Sequence, residues 1–263
     1  MKNKNIAIIT LDSLRYDSSI EASVPNFKEL IYNYQDQYNN WVKVGSNATY
    51  TLPSHIAILK AGILPSYPNL KFPFSKKRRV FTLRTPNLYI PSNKLKYYND
   101  SLYSVPEAKS LPNGFEKDGY YTLGIGGVQW FRADTETSEF WSNYFSEFYW
   151  EECFSERYFD GLENQIKKIE SINIPNDKPL FFFMNVSSTH LPYRGEDKTI
   201  RGQANCLEYI DKHIMKVIDF IPKPAHIFIM GDHGDCMGED DCFGHGFYHP
   251  KIMEVPMISL EIN

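Results

Sequence analysis

The stretch NIAIITLD, residues 5–12, decides the fold. From Ile6 to Leu11 every position is apolar or, at Thr10, β-branched, and the run closes on one acid, Asp12. A strand with one wet face alternates apolar and polar residues, so an unbroken run reads as a strand buried on both faces. Such a strand needs a layer of helices on each side of its sheet. The same grammar returns twice. LFFFMNV (180–186) runs into SSTH (187–190), and HIFIM (226–230) runs into Gly231, Asp232 and His233. Tyr121 to Ile125, Trp41 to Val44 and Val255 to Ile262 are further strand candidates. Helical spacing falls between them. Pro25 is followed by Phe27, Leu30, Ile31 and Tyr34, and Pro53 by Ile56, Ile58 and Leu59 up to Gly62. Residues 157–172 suggest another helix, and 203–221 carry Leu207, Ile210, Ile214, Val217 and Ile218. The pattern predicts an α/β fold, a three-layer α/β/α sandwich around a mainly parallel sheet, in a single domain over residues 1–263. In such sheets ligands bind beyond the carboxyl ends of the strands. Asp12, residues 185–190, and Asp232 with His233 all follow such strands, so three segments deliver polar groups to one sheet edge.

The 263 residues are 42% hydrophobic and 23% charged, with a net charge of −4. That balance excludes disorder for the bulk of the chain and argues against nonspecific binding to nucleic acid or anionic membranes. No apolar run approaches the roughly 20 residues of a membrane span. The basic start MKNKN leads into a run broken by Asp12, a buried strand rather than a signal peptide. The four cysteines, Cys153, Cys206, Cys236 and Cys242, form no CxxC pair, and the expected compartment is the reducing cytoplasm. An irregular basic insertion at about 66–112 carries Lys71, Lys76, Lys77, Arg78, Arg79 and Arg84. It reads as a solvated face or as a contact for an anionic partner. Residues 130–152 are rich in aromatic and acidic side chains, and with the insertion they are candidates for substrate selection.

Several residues could carry chemistry. Asp12 at a strand end can be a metal ligand, a helix cap or a turn residue. Asp232 and His233 lie in GDHGD, where Gly231 and Gly234 suggest a tight loop aiming both side chains at one point. Thr51 precedes a Pro-started helix in TYTLPSH; it is an N-cap, or a hydroxyl facing the free N–H groups that suit a phosphate or sulfate. A bound metal would lower its pKa and make it a nucleophile. His190 in STHLPY and His245 in FGHGF sit in loops, with His249 four residues on. His213 and His226 fall in helix and strand patterns, and structural roles are expected for them, as for Cys236 and Cys242. Arg15 and Asp17 are close enough in sequence to pair.

In chain order, ITLDSLRYD, TLPSH, STHLPY, GDHGD, GHG and EVPMI resemble the alkaline phosphatase and sulfatase superfamily, within it the sulfatase-like branch of arylsulfatases, lipoteichoic acid synthases and phosphoethanolamine transferases. The resemblance runs from residue 5 to 262, with 66–112 poorly matched. It implies an alkaline phosphatase-like sandwich, and the membrane helices of the anchored transferases have no counterpart in this sequence. It implies that Asp12, Asp232 and His233 are metal ligands and that Thr51 holds the nucleophile position of the C/S/T-x-P-S motif. His190 matches the histidine of H-x-P, and His245 falls where phosphoethanolamine transferases have a histidine and sulfatases often a lysine.

Two departures bear on the substrate. Thr51 cannot be oxidised to the formylglycine of conventional sulfatases, and His55 replaces the arginine that guides that conversion. Threonine at this position is typical of relatives acting on phosphate mono- and diesters. The resemblance therefore implies a metal-dependent hydrolase or phospho-group transferase acting on a small-molecule or peptide-linked anionic ester. Asp12, Thr51, Asp232 and His233 would hold one divalent ion, Zn²⁺ or Mn²⁺ before Mg²⁺ or Ca²⁺. A second ion at His190, His245 and His249 would need an acid that residues 185–189 lack, so His190 and His245 are expected to bind the oxyanion or protonate the leaving group. A sulfate or phosphonate ester hydrolase without formylglycine, and a catalytically silent anion-binding module, are the alternatives.

Overall fold

The computed structural model describes residues 4–35, 40–59, 110–134, 138 and 141–263. In chain order it runs β1 (Asn5–Leu11), α1 (Tyr16–Glu21), α2 (Pro25–Tyr34), β2 (Val42–Gly45) and α3 (Thr51–Leu59). Then come α4 (Leu111–Lys117), β3 (Tyr121–Ile125), β4 (Glu147–Tyr149), α5 (Gly161–Glu170), β5 (Leu180–Val186) and α6 (Ile200–Phe220). The chain closes with β6 (Ala225–Gly231), the short hairpin β7 (Cys236–Met237) and β8 (Phe243–Gly244), α7 (Pro250–Met253) and β9 (Glu254–Ile262). Seven strands form one sheet in the order β2-β9-β6-β1-β5-β3-β4. The five from β6 to β4 are parallel, and β9 runs against both its neighbours. The fold is the mainly parallel α/β sandwich that the apolar runs predict. No helix among the described residues is long and apolar enough to cross a membrane.

The continuous apolar runs are explained by a core on each side of the sheet. In β5, Phe182 and Met184 face the layer of α2, α5 and α6, while Phe181 and Phe183 face the opposite layer. In β1, Ala7, Ile9 and Leu11 join the first core and Ile8 the second. The second core is built largely of rings. Phe131, Trp141, Tyr144 and Phe145 are buried there with Leu52, Ile56 and Leu59 of α3. These four rings of the 130–152 stretch pack the core, and each buries a large apolar area that water would otherwise hold.

Register brings the site together. Leu11 of β1 lies opposite both Val186 of β5 and Gly231 of β6. The three central strands end level, so Asp12, Ser187 and Asp232 leave the sheet side by side. Several boundaries differ from the sequence reading. Helix α3 begins at Thr51 itself, so Thr51 is not a cap preceding the helix. Helix α6 begins at Ile200, because the Thr199 hydroxyl accepts the Gly202 N–H at 3.0 Å and caps it. Helix α5 begins at Gly161 rather than 157. The last residues of the 66–112 segment are ordered helix: Ser110 caps α4, which opens at Leu111. Its basic cluster lies outside the described residues.

Candidate metal centre

Asp12 is fully buried one residue past β1. Its Oδ2 accepts from Asn185 Nδ2 at 3.1 Å, and its Oδ1 accepts from the Ser13 hydroxyl at 3.2 Å and the Thr51 hydroxyl at 3.4 Å. Ser13 adopts a left-handed φ of 61°, which a non-glycine residue rarely takes without a surrounding structure that compels it. Here that turn aims the Ser13 N–H at Asp232 Oδ1, 2.9 Å away. Asp232, one residue past β6, also receives its neighbour's N–H from His233 at 2.9 Å on the same oxygen. Its carbonyl accepts from the hydroxyls of Ser46 and Ser54. The loop is thus bound to β1 on one side and to α3 on the other.

The side chains of Asp12, Asp232 and His233 converge, with ligand atoms within 4.8 Å of one another. Thr51 Oγ1 stands 3.2 Å from His233 Nε2. The structure brings together the four residues expected to hold a metal. Their electrostatics fit a cation. Burial, and then the neighbouring Asp232, push the Asp12 carboxyl up to about 7. Burial likewise pushes Asp232 up to about 7, against the N–H groups of Ser13 and His233 that favour its charge. Asp232 Oδ2 is buried with no hydrogen-bond partner among the described residues, 3.5 Å from His233 Nε2. A buried carboxylate oxygen without a donor costs free energy unless a cation meets it. Three oxygens and one imidazole nitrogen suit Zn²⁺ or Mn²⁺, and the all-oxygen preference of Mg²⁺ and Ca²⁺ is less well served.

Four histidines around this centre have their tautomers set by acceptors that cannot donate. His233 Nδ1 lies 3.0 Å from the Gly234 carbonyl, His190 Nδ1 2.6 Å from the Leu191 carbonyl, and His55 Nδ1 2.7 Å from the Thr51 carbonyl. His245 Nδ1 lies 2.6 Å from the Asp235 carboxylate. Each Nδ1 therefore carries a proton and donates it, which leaves Nε2 to face other groups: Thr10 for His55, and the Thr51 hydroxyl for His233. For His233 this directs a lone pair at Thr51 and the carboxylates, as a metal ligand requires. Burial holds the His233 ring well below its ordinary range, so it stays neutral. For His245, burial opposes charging, but the Asp235 carboxylate and its hydrogen bond outweigh it and hold the ring above its ordinary range. The rings of His190 and His245 lie 5.4 Å apart, and His245 lies 4.4 Å from His233, so both stand beside the ligand cluster.

His249 is not part of this group. Its Nδ1 accepts the Lys251 N–H and caps α7, while its Nε2 faces Asp240 at 3.3 Å. His213 stands 3.5 Å from Glu163 and His226 2.8 Å from the Ser259 hydroxyl, away from the centre. Cys236 and Cys242, neither of them in a disulfide, pack with Ile252. Arg15 pairs with Asp17 and, at 2.7 Å, with Glu239.

Asn185 and Asp235 were not singled out by sequence. Both had a signal: Asn185 is the one amide in LFFFMNV, and Asp235 is the second acid of GDHGD. Asn185 also donates to Thr10 Oγ1 at 3.0 Å, and Thr10 lies 2.8 Å from His55 Nε2. Burial keeps His55 low, at about 4, hence neutral. Its Nε2 therefore accepts the Thr10 proton, and the chain His55–Thr10–Asn185–Asp12 ties α3 to the acid. The two loop glycines serve space rather than turning. A Cβ on Gly231 would lie 2.5 Å from the Leu14 carbonyl, and one on Gly234 2.2 Å from the Lys251 carbonyl.

No curated protein sequence matches this chain. Among solved structures, it is similar to a protein of the alkaline phosphatase superfamily from Vibrio parahaemolyticus, with TM-score 0.58 and 17% identity, covering 100% of this chain and 61% of that one. It is similar to the C-terminal periplasmic domain of phosphoethanolamine transferase EptC from Campylobacter jejuni (TM-score 0.59, 13% identity, 100% of this chain and 80% of that one). The C-terminal periplasmic domain of EcEptC from Escherichia coli, in complex with Zn, matches with TM-score 0.59 and 11% identity over 99% of this chain and 73% of that one. At such identities the likeness is one of fold. The Sulfatase family profile spans residues 82–260, more than half of the sequence, so this chain belongs to the Sulfatase family.

Proposed function

We propose that this protein is a divalent-metal-dependent hydrolase or phospho-group transferase that acts on phosphate mono- or diesters through Thr51. The observation that carries the reading is the position of Thr51 Oγ1, at the first residue of α3, 3.2 Å from His233 Nε2 and 3.4 Å from Asp12 Oδ1. Asp12, Asp232, His233 and Thr51 would hold the ion, which supplies Lewis acidity and lowers the pKa of a bound hydroxyl. The Thr51 hydroxyl gives its proton to solvent, and its oxygen bonds to phosphorus opposite the leaving oxygen. The bond from phosphorus to the leaving group then breaks, and that oxygen takes a proton from His245 or His190. In their doubly protonated form, with Nδ1 still donating to its own acceptor, the same two rings also donate from Nε2–H to the nonbridging oxygens. Water or an acceptor hydroxyl attacks phosphorus in the second step and frees Thr51.

The neighbours support this class. One is a phosphoethanolamine transferase and one was solved with Zn. Zn²⁺ is accordingly the preferred ion, with Mn²⁺ next, one per chain. The substrate is a small-molecule or peptide-linked anionic ester, and a reducing cytoplasmic setting fits the four free thiols. Among the described residues, the cations nearest the centre are committed elsewhere: Arg15 to Asp17 and Glu239, Lys251 to Asp17. Elemental analysis beside a panel of nitrophenyl phosphate, bis-nitrophenyl phosphate, a phosphonate ester and a sulfate tests the reading. About one metal per chain is expected, with turnover reduced at least about 10³-fold in Thr51→Ala. Phosphate should be trapped on Thr51 under mass spectrometry. Near-full turnover in Thr51→Ala would overturn the covalent route. A metal-loaded protein that turns over none of the esters would instead be an anion-binding module.

A further inference from the structure

Asp235 is a buried acid that the mechanism above does not use. Both of its carboxylate oxygens are occupied: Oδ1 accepts from His245 Nδ1 at 2.6 Å and Oδ2 from the Tyr193 hydroxyl at 2.8 Å. Its own carbonyl accepts from Arg15 Nη1 at 3.0 Å. Asp232, three residues earlier in the same loop, differs in the decisive respect, because its Oδ2 has no hydrogen-bond partner among the described residues. The two acids of GDHGD are thus divided by geometry. Asp232 keeps an oxygen for a cation, and Asp235 spends both on side chains.

Three loops meet at Asp235. Tyr193 belongs to the loop after β5 that also carries His190, and its N–H donates to the His190 carbonyl at 2.8 Å. Tyr193 holds a left-handed φ of 52°, a conformation that sends its ring inward to a fully buried position. Arg15 reaches Asp235 from the turn after β1, held in turn by Asp17 and Glu239. His245 comes directly after β8, where the Gly246 N–H donates at 2.8 Å to the carbonyl of Thr49, two residues before α3. The imidazole itself keeps 20% of its surface exposed. A ring on a loop, partly open to solvent, has two rotatable bonds and needs an external hold to present one nitrogen in one direction.

We propose that Asp235 is a positioning residue for the reaction: with Tyr193 on its second oxygen, it fixes the rotamer and the Nδ1–H tautomer of His245, so that Nε2 faces the group being transferred. The inference rests on the role given to His245 above. A buried ion pair that merely closed the hairpin would have the same contacts, and the test must separate the two. Asp235→Asn keeps the shape and an oxygen for His245 while removing the charge. Tyr193→Phe frees the second oxygen and leaves the charge.

The measurement is a double-mutant cycle on kcat and KM, using the metal-loaded protein and the nitrophenyl ester it turns over fastest. It is read beside the histidine ring spectra of the same samples. Asp235→Asn is expected to lower kcat about 10- to 100-fold with KM changed less than about threefold, and Tyr193→Phe to lower kcat about 3- to 10-fold. In a His245→Ala background Asp235→Asn should have no further effect, because a residue acting through His245 has nothing left to act through. Nitrogen-edited spectra of the wild type should show a protonated His245 Nδ1 with its proton far downfield, and Asp235→Asn should lose that displacement. Equal loss of kcat from Asp235→Asn with and without His245 would overturn the inference and leave a structural pair. So would a His245 ring protonated on Nε2 alone, a result that needs no turnover to be read. Failure of the threonine reading is distinguishable, because it appears as an active Thr51→Ala whatever the cycle shows.

Discussion

At the residue scale, the centre is a place where two carboxylates, Asp12 and Asp232, are buried beside one another. Asp12 has a folded-state pKa of about 7 against 3.8 for the free side chain, and burial is the main cause. Between those values the metal-free native state keeps a proton that the unfolded state has released. Its stability contribution is therefore full below 3.8 and is lost as pH rises to about 7. Asp12→Asn removes this loss. Its amide oxygen can accept from Asn185 while its NH₂ faces the Ser13 and Thr51 hydroxyls. Measured by denaturant unfolding in chelator, the variant should gain on the wild type as pH rises through this window, by up to about 1.4 kcal/mol per pH unit. With Zn²⁺ present the order should reverse, because a ligand has been lost. A variant that is less stable than the wild type at pH 8 in chelator would mean that Asp12 is not held under electrostatic pressure.

At the element scale, the site depends on how closely the loop after β3 approaches β5. A Cβ on Gly127 would lie 2.4 Å from the Asn185 carbonyl oxygen and 2.6 Å from its Oδ1. Because Asn185 also donates to Asp12, the strain has a path to the metal centre. Gly127→Ala should cost about 1–3 kcal/mol of stability and weaken metal binding as well. Thr199→Ala is the matched comparison. It removes the cap of α6 at a cost of about 1 kcal/mol, far from the ligands, and metal affinity should be unchanged. Unfolding curves paired with Zn²⁺ titrations separate the two. Equal metal affinity in both variants would show that Asn185 does not hold Asp12 in place.

At the scale of the whole molecule, the candidate ligands are residues 12, 51, 232 and 233, so the candidate centre forms only when β1, β6 and α3 have come together. An ion that binds only the native state stabilises it by mass action, by about 2.7 kcal/mol at one hundred times its dissociation constant. The melting temperature should rise with Zn²⁺ concentration, fall in chelator, and lose this dependence in Asp232→Ala. A melting temperature indifferent to every divalent ion would remove the basis for a metal centre. The same assembly explains why the strands had to be apolar on both faces. A sheet sandwiched between two cores presents only its ends to solvent, and the polar residues that follow Leu11, Val186 and Gly231 are confined to one of them.

The sequence alone determined the layers and the edge at which chemistry gathers, because strand burial and helix amphipathicity are written in local periodicity. Asp12, Thr51, Asp232, His233, His190 and His245 were all legible, each standing beside an apolar run or within a short glycine- or proline-marked segment. The tertiary structure alone decided which acid does what. Asp232 and Asp235 are three residues apart in one loop, chemically identical in sequence, yet only one of them keeps an oxygen without a donor. The same holds for the histidines: His249 lies only four residues after His245 but caps a helix, while His245 stands against His233. Hydrogen-bond partners that lie tens to hundreds of residues away, such as Tyr193 for Asp235 and Asn185 for Asp12, leave no periodic trace. They follow from the level ends of three strands, and that register exists only once the chain has folded.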